Sequence, residues 1–292
     1  MSLKRKALFI TNPISGAGGK INITELIQSN LDSSKFDWSI YETTGRGDAT
    51  LRAQQAVKES YDLVVAVGGD GTINEVAQGL INTNVCMSIL PKGSGNGLAN
   101  HLNISTQLPQ AISQLNHARE TWIDTGWFNE QLFLNVAGIG FDAQVAYAFD
   151  HHNQRGLFSY IFLSLREFFN FSAPNFTIEA DDQRIETKAF IVTIANGSQY
   201  GNNAFIAPNA NISDGLLDLV IIHPFKPWQL FTFPAKLFAR KLKSSSNYQF
   251  IKAKKICITS TSSNAQLDGE PYLTSMVSKI EIKPNSLKML VP

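Results

Sequence analysis

The sequence predicts a two-domain protein, with an α/β domain built on a parallel sheet followed by a mostly antiparallel β domain. The chain has 292 residues, about twice the size of a usual domain. Its first part alternates short apolar runs with helical patterns, whereas after about Thr125 strand-like runs follow one another with few helices. The first rhythm is typical of layered parallel sheets, and the second of antiparallel sheets.

Strand and helix signals alternate through the first 125 residues. The run 62–67 is β-branched and almost wholly apolar, as expected for a strand buried on both faces of a parallel sheet. Short apolar runs predict strands at 7–10 and 87–90, and an alternating pattern predicts a strand at 38–41. Helical spacing predicts helices around 23–27, from Asp48 to about Ser60, and at 73–80.

The second part is dominated by strand signals. Apolar runs predict strands at 132–136, 175–180, 184–195, 216–222, 248–252 and 255–261. Helices are predicted at 142–149 and 157–171. Asp181 and Asp182, between two of the strands, predict a hairpin turn.

Composition excludes several classes of protein. Lys plus Arg is 25 and Asp plus Glu is 24, so the net charge of +1 argues against a nucleic-acid partner. Two distant cysteines argue against a disulfide scaffold or a zinc site. The apolar stretch after the basic N-terminus is too short for a signal peptide, and no run is long enough for a membrane helix. We therefore expect a cytoplasmic protein that touches a membrane peripherally.

Three glycine-rich segments follow predicted strands. The sharpest, 68–74, reads Gly-Gly-Asp-Gly-Thr-Ile-Asn and leads into a helix, whose free N–H groups attract anions. The others are 91–97 and 12–20. Because the carboxyl ends of parallel strands meet at one sheet edge, the three segments predict a shared phosphate site there. The alternative for the first segment is an ordinary turn with Asp70 as an N-cap.

These segments resemble the catalytic domain of the diacylglycerol kinase and sphingosine kinase superfamily, particularly its soluble bacterial lipid kinases. The matching segments are 12–13, 68–72, 93–96, 124–126, 133–135, 138–142, 213–215 and 267–270. The resemblance implies a phosphofructokinase-like α/β domain that binds ATP, a C-terminal β-sandwich that binds the lipid, and an active-site cleft between them. It also implies that the last strand returns to the first domain. The expected domains are therefore 1–125 with 284–292, and 126–283.

The resemblance also implies roles for individual residues. Nucleotide-binding residues would be Asn12, Thr43, Gly68, Gly69, Asp70, Gly71, Thr72, Asn74, Gly93, Ser94 and Asn96. Glu270 would accept the proton, and Asp70 and Asp124 would belong to a Mg²⁺ and phosphate network. The Asp214 side chain, with backbone oxygens of Asn211 and Leu216, would bind a structural Mg²⁺.

The expected activity is ATP- and Mg²⁺-dependent transfer of the γ-phosphate to a lipid hydroxyl, on a diacylglycerol-like or sphingosine-like alcohol. Several alternatives stay open at this point. Asp70 could replace Glu270 as the base, and the segments at Asp214 and at 268–270 could be plain turns. The enzyme could resemble an NAD kinase, or the chain could be a non-catalytic lipid- or nucleotide-binding regulator. A homodimer is one open option for its assembly.

Two further segments are candidates for contact with lipid. Residues 223–246 interleave aromatic residues with cations and contain no acidic residue; the cations are Lys226, Lys236, Arg240, Lys241 and Lys243. This pattern suits an anionic headgroup layer, or equally a helix with a solvated basic face. Residues 157–171 could line an acyl-chain pocket or simply pack in the core. The pair His151-His152 has no partner at metal spacing and is interpreted as a surface pair.

Overall fold

A computed structural model of the protein describes residues 4–15, 22–150, 166–168, 170–224 and 229–292. The chain divides into two compact units, Met1–Ile123 with Asn285–Pro292, and Asp124–Pro284. An α/β unit is followed by an antiparallel β unit, so the predicted fold class is confirmed.

The first unit is built on a parallel sheet with helices between its strands. Its strands are β1 (Arg5–Thr11), β2 (Phe36–Glu42), β3 (Leu63–Gly68) and β4 (Cys86–Pro91), in the order β2-β1-β3-β4. The C-terminal end of β16 (Val277–Val291) lies parallel to β4, with Met289 opposite Met87. The helices are α1 (Ile23–Asn30), α2 (Asp48–Lys58), α3 (Asp70–Leu80), α4 (Gly97–His101) and α5 (Leu108–Leu115).

Burial explains why these segments form a parallel sheet. Every residue of β3 and β4 is buried, as expected for apolar strands that are covered on both faces of a parallel sheet. Helices α2 and α3 pack closely because small residues face each other: a Cβ atom on Gly79 would lie 2.6 Å from the Ala53 Cβ atom. Gly47 precedes α2, and the Asp48 carboxylate accepts hydrogen bonds from the Thr44 backbone N–H at 2.7 Å and hydroxyl at 2.9 Å.

The second unit consists of two antiparallel sheets. Its strands include β7 (Val136–Gly140), β8 (Asn175–Ala180), β9 (Gln183–Lys188), β10 (Ile191–Ala195), β11 (Leu217–Ile222), β12 (Tyr248–Ala253), β13 (Lys255–Ser260), β14 (Asn264–Leu267) and β15 (Glu270–Leu273). The first sheet has the strand order β12-β11-β10-β7-β14-β15. In the second sheet, β13 pairs with both β16 and β8, and β8 also pairs with β9. Strand β5 (Arg119–Phe128) pairs with β6 (Gln131–Phe133). The described helices of this unit include α6 (Phe141–Asp150) and α7 (Gln229–Phe238).

The core of this unit lies between the two sheets. Ile139 and Ile194 come from the first sheet, and Ile178 and Ile258 come from the second, and all four belong to one buried cluster. Side chains that alternate inward along both sheets therefore interdigitate, as in a β-sandwich.

The structure divides one predicted strand and confirms one predicted turn. The segment 184–195 was predicted as one strand, but it forms β9 and β10, because the chain leaves the second sheet after Lys188 and joins the first sheet at Ile191. The hairpin at 181–182 is confirmed, since Ala180 pairs with Gln183. Most of the predicted helix 157–171, the pair 151–152, the segment 16–20 and residues 225–228 lie outside the described residues. Among the helices that are described, none is long and apolar enough to cross a membrane.

Candidate active site

Two glycine loops meet at the carboxyl edge of the parallel sheet. The first joins β3 to α3 and the second joins β4 to α4. A Cβ atom on Gly93 would lie 3.0 Å from the Gly69 Cα atom, so the two backbones touch. The Lys92 N–H also donates to the Gly68 carbonyl at 2.8 Å. The predicted convergence of these loops on one edge is therefore present in the fold.

The segment after β1 joins the same edge. The Asn12 side-chain amide donates to the Thr72 hydroxyl at 3.3 Å, and the Asn12 backbone N–H donates to the Val67 carbonyl at 3.1 Å. The Thr43 N–H donates to the Thr11 carbonyl at 2.9 Å, which places Thr43 at the end of β2 beside Asn12. Asn12, Thr43 and Thr72 thus lie along the ends of three neighbouring strands.

Helix α3 presents its N-terminus at this edge. It begins at Asp70, directly after Gly69, and its buried face contains Thr72 and Ile73. Asp70, Gly71 and Asn74 are half-buried. The first N–H groups of a helix have no partner within the helix, and the helix dipole adds partial positive charge there, so this end favours a phosphate.

Asn96 contributes an unusual acceptor. It precedes α4 with a φ of 52°, in the left-handed region that asparagine tolerates better than most residues. Its amide donates to the Gly93 carbonyl at 2.8 Å, whereas its buried Oδ1 atom has no hydrogen-bond partner among the residues that the structure describes. A buried amide oxygen without a donor is costly, so a ligand group or water that donates to it would be favoured here. Ser94, two residues earlier, is exposed.

In the second unit, the segment 267–270 forms a two-residue hairpin turn between β14 and β15. Asp268 and Gly269 have φ values of 52° and 88°, and Leu267 pairs with Glu270. Positive φ at both central residues is the geometry that Asp-Gly favours. The predicted turn is therefore present, with Glu270 exposed as the first residue of β15.

Asp268 holds this hairpin against the start of β7. Its Oδ1 atom accepts the N–H groups of Asn135 at 2.8 Å and Val136 at 3.1 Å, and its Oδ2 atom accepts the Leu134 N–H at 2.8 Å. Charge-assisted bonds to three backbone donors fix the position of the turn. They leave Glu270, two residues later, on a rigid support with its side chain exposed to solvent.

Asp124 is buried and anchors the loop that contains Asp214. Its Oδ2 atom accepts the Gly215 N–H at 2.7 Å, and its own N–H donates to the Ile212 carbonyl at 2.8 Å. The Asn196 side-chain amide donates to the Asp124 carbonyl at 2.9 Å. These contacts bring Asp124 together with the loop 211–216, which carries the residues of the separately predicted structural Mg²⁺ site.

The predicted structural Mg²⁺ site is filled by protein donors. The Asp214 Oδ1 atom accepts the Leu216 N–H at 3.1 Å, and its Oδ2 atom accepts the Lys252 ammonium at 2.7 Å. Lys252 also contacts Asp218 Oδ2 at 3.2 Å. Because both Asp214 oxygens already have donors and a cation lies beside them, the residues do not fit a Mg²⁺ ion there. Within the described part of the chain, no group of three or more acidic, His or Cys side chains could hold a metal ion.

The sequence did not predict a functional role for three buried polar residues near Asp124 and β7, namely Asn135, Asn196 and Asp142. Buried Oδ1 atoms of Asn135 and Asn196 have no partner among the described residues. Asp142 is buried and accepts the Tyr200 hydroxyl at 3.2 Å and the Gln266 amide at 3.4 Å. Burial raises the pKa of Asp142 to about 6. The signal available was the short polar segment after the buried strand β10, where Asn196 lies.

Comparisons with known families agree with this arrangement of two units. A family model described as the diacylglycerol kinase catalytic domain matches residues 6–128. A second, described as the YegS C-terminal NAD kinase beta sandwich-like domain, matches residues 135–291. The chain belongs to the diacylglycerol kinase family of lipid kinases. The family predicted from its motifs is confirmed.

Individual relatives and a solved structure are similar to this chain over nearly its whole length. A diacylglycerol kinase of Staphylococcus saprophyticus is 26% identical over 92% of this chain and 90% of its own length. An uncharacterized protein of Synechocystis sp. is 29% identical, over 97% of this chain and 69% of its own length. The crystal structure of a putative diacylglycerol kinase from Bacillus anthracis matches the fold with a TM-score of 0.78 at 23% identity, over 100% of this chain and 98% of that one.

Proposed function

We propose that the protein transfers the γ-phosphate of ATP to the hydroxyl group of a diacylglycerol-like lipid alcohol, in a reaction that requires Mg²⁺. The observation that supports this most strongly is the contact between Gly69 and Gly93, which joins two amide-rich loops at the start of α3. The relatives named diacylglycerol kinase support the choice of lipid.

The nucleotide phosphates would bind at the carboxyl edge of the first unit. Backbone N–H groups of residues 68–72 and of the segment 93–96 donate to phosphate oxygens, and the buried Asn96 side chain can reorient to do the same. Thr43 and Asn12 border this edge. Phosphoryl transfer depends mainly on positioning and charge neutralisation, which such a cradle supplies.

Mg²⁺ would neutralise charge on the β- and γ-phosphates when bound with ATP. Magnesium in phosphate sites needs only one or two carboxylates besides the phosphates and water, so the lack of a larger acidic cluster among the described residues is compatible with it. Asp70, in the first turn of α3, would hold this ion, and Asp124 would belong to the same network.

Glu270 would accept the proton of the lipid hydroxyl. The hydroxyl oxygen forms the new bond to the γ-phosphorus, the bond from that phosphorus to the β-γ bridging oxygen breaks, and ADP leaves with that oxygen. Glu270 is suited to the task because it is exposed and rests on the Asp268-anchored hairpin. Asp70 is the alternative acceptor, and it is better placed to hold the metal.

A panel of acceptor molecules and two site variants test the proposal. Labelled ATP with Mg²⁺ is supplied to diacylglycerol, a sphingoid base, ceramide and phosphatidylglycerol in mixed micelles, with NAD as a further acceptor. We expect labelled phosphatidic acid from diacylglycerol. Glu270→Gln and Asp70→Asn should each lower kcat by about 10²–10⁴-fold, whereas Glu130→Gln, which changes an exposed glutamate elsewhere in the second unit, should not.

Other results would contradict specific parts of the proposal. Transfer to NAD instead of any lipid would overturn the substrate class. Full activity in both variants would overturn the assigned roles of Glu270 and Asp70. ATP binding without transfer to any acceptor would favour a regulator on the same fold.

A further inference from the structure

Helix α7 and the residues after it present exposed cations around an exposed phenylalanine. We call this the basic–aromatic surface, and it consists of Lys236, Phe238, Arg240, Lys241 and Lys243, all of which are exposed. We propose that this surface docks the protein on an anionic lipid bilayer. The inference deepens the proposed function, because it assigns the contact with the membrane that would present the lipid substrate.

Nothing in the surrounding sequence compensates the positive charge of this surface. No acidic residue occurs between Asp218 and Asp268, an interval that also contains Lys226, Lys252, Lys254 and Lys255. Within the part of the chain that the structure describes, none of the four cations of the surface belongs to an ion pair. The net charge of the whole chain is only +1, so the positive charge is local rather than general.

The way α7 ends directs these side chains outward. The Lys241 N–H donates to the Lys236 carbonyl at 2.9 Å, and Arg240 has a φ of 55°, as in the left-handed turn that closes many helices. Leu237 and Leu242, on either side of this turn, are buried in a cluster with Tyr248. The two leucines anchor the segment while the residues between them face solvent.

Aromatic rings hold two of the cations in place without removing them from water. The Arg240 guanidinium carbon lies 3.8 Å from the centre of the Phe205 ring, and the Lys236 Nζ atom lies 5.2 Å from the centre of the Tyr248 ring. Contacts of this kind orient a cation at little cost in hydration when it stays exposed. The surface is therefore partly preorganised for anions.

Phe238 favours a bilayer over a nucleic acid as the anionic partner. Its side chain is 50% exposed at the last position of α7, and Lys236 and Arg240 lie two positions away on either side. A single exposed phenylalanine means little by itself. Together with four cations, it matches the composition of segments that insert an apolar group at the headgroup boundary and attract anionic lipids.

Vesicle sedimentation with matched variants tests the surface. The full chain is mixed with phosphatidylcholine vesicles, with and without phosphatidylglycerol, and the bound fraction is measured. Each lysine near an anionic surface contributes about fivefold in binding, so Lys241→Gln with Lys243→Gln should lower binding to the anionic vesicles about 25-fold. Phe238→Ser should lower it about tenfold.

The matched control removes the same charge at the far end of the same region. Lys254 and Lys255 are exposed, and Lys254 lies six positions beyond Tyr248, about 20 Å along the strand direction. Lys254→Gln with Lys255→Gln should change vesicle binding less than twofold. Equal losses in both double variants would overturn the assigned location. Equal binding of the wild type to neutral vesicles, or stronger binding to an RNA oligonucleotide, would overturn the assigned partner.

A second readout separates this inference from the proposed function. Phosphorylation of a short-chain, water-soluble diacylglycerol should be unchanged in the Lys241→Gln, Lys243→Gln variant, while phosphorylation of long-chain diacylglycerol in anionic vesicles falls with binding. A wild type that binds anionic vesicles but phosphorylates neither substrate would overturn the proposed function and leave the surface supported. Normal kinase activity with no vesicle binding would do the reverse.

Discussion

Gly93 approaches Gly69 so closely that a Cβ atom on Gly93 would lie 3.0 Å from the Gly69 Cα atom and 2.9 Å from the Asn96 Oδ1 atom. The relationship is not symmetric. A Cβ atom on Gly69 would lie 3.5 Å from the Gly93 Cα atom, an ordinary van der Waals distance, and the φ of −88° and ψ of −175° at Gly69 suit any residue. The structure therefore requires glycine for packing at position 93 and not at position 69.

Gly93→Ala is predicted to lower the free energy of unfolding by about 1–3 kcal/mol, the usual cost of inserting a methyl group into a packed site. Gly69→Ala is the control and should cost less than about 1 kcal/mol, mainly because alanine caps a helix less well than glycine. Denaturant unfolding of the two variants measures the difference. Equal stability of the two variants would contradict the close contact of the loops.

The convergence of the loops could be predicted from sequence, but the contacts within it could not. Alternating strands and helices imply a parallel sheet, and a parallel sheet brings the ends of its strands to one edge. Which glycine is required depends on distances of a few tenths of an ångström between segments that are distant in the chain. Periodicity carries no information of that kind.

The same limit applies to the second unit. Asp268 and Glu270 were predicted as one motif, yet only the structure separates their tasks, because the donors to Asp268 lie 132 to 134 positions earlier in the chain. Asp142 and Gln266 are likewise 124 positions apart. Antiparallel sheets create such pairs, and local patterns predict the strands without predicting which side chains meet across them.

Asp268→Asn is expected to reduce mainly the stability of the protein, and Glu270→Gln mainly its activity. The first replaces a carboxylate that accepts three backbone N–H groups by an amide with one acceptor oxygen, and should lower the free energy of unfolding by about 2–4 kcal/mol. The second changes an exposed side chain and should leave stability within about 0.5 kcal/mol while lowering kcat by about 10²–10⁴-fold. Thermal unfolding and the kinase assay measure the two effects. A stable Asp268→Asn protein would show that the hairpin is not held by this carboxylate.

Lys252 is predicted to stabilise the loop around Asp214 in place of a metal ion. Lys252→Met leaves Asp214 and Asp218 without their shared cation, at side-chain exposures of 25% and 10%. Burial already raises the pKa of Asp218, so its charge depends on this partner. We expect a loss of about 1–3 kcal/mol in the free energy of unfolding, less than for a fully buried pair because Lys252 is partly exposed.

Metal dependence provides the contrasting measurement for Lys252. The melting temperature of the wild type should be the same in EDTA and in Mg²⁺, and Lys255→Met, which changes an exposed neighbour, should melt like the wild type. A wild type stabilised by several degrees in Mg²⁺ alone would restore the metal site predicted from sequence. The test uses no nucleotide, so it is independent of Mg²⁺ bound with ATP.

Asp142 should make the stability of the protein fall as the pH rises from about 4 through 6. Burial raises its pKa from the ordinary 3.8 to about 6, so the folded state holds the proton more tightly than the unfolded state. The stabilisation is complete below the unfolded pKa and is lost as the pH passes the folded pKa. The shift corresponds to on the order of 3 kcal/mol once both states are ionised.

Asp142→Asn removes this titration, since an amide stays neutral while it can still accept the Ala143 N–H that the carboxylate accepts at 2.9 Å. Relative to the wild type, the variant should therefore gain about 2 kcal/mol in the free energy of unfolding between pH 4.5 and pH 8, measured by urea unfolding at both values. Differences between variant and wild type cancel every other group that titrates in this range. Asp182→Asn, at the exposed β8–β9 hairpin, is the control and should show a constant difference. A constant difference for Asp142→Asn as well would mean that this carboxyl group is already ionised in the folded protein at pH 4.5, contrary to its burial.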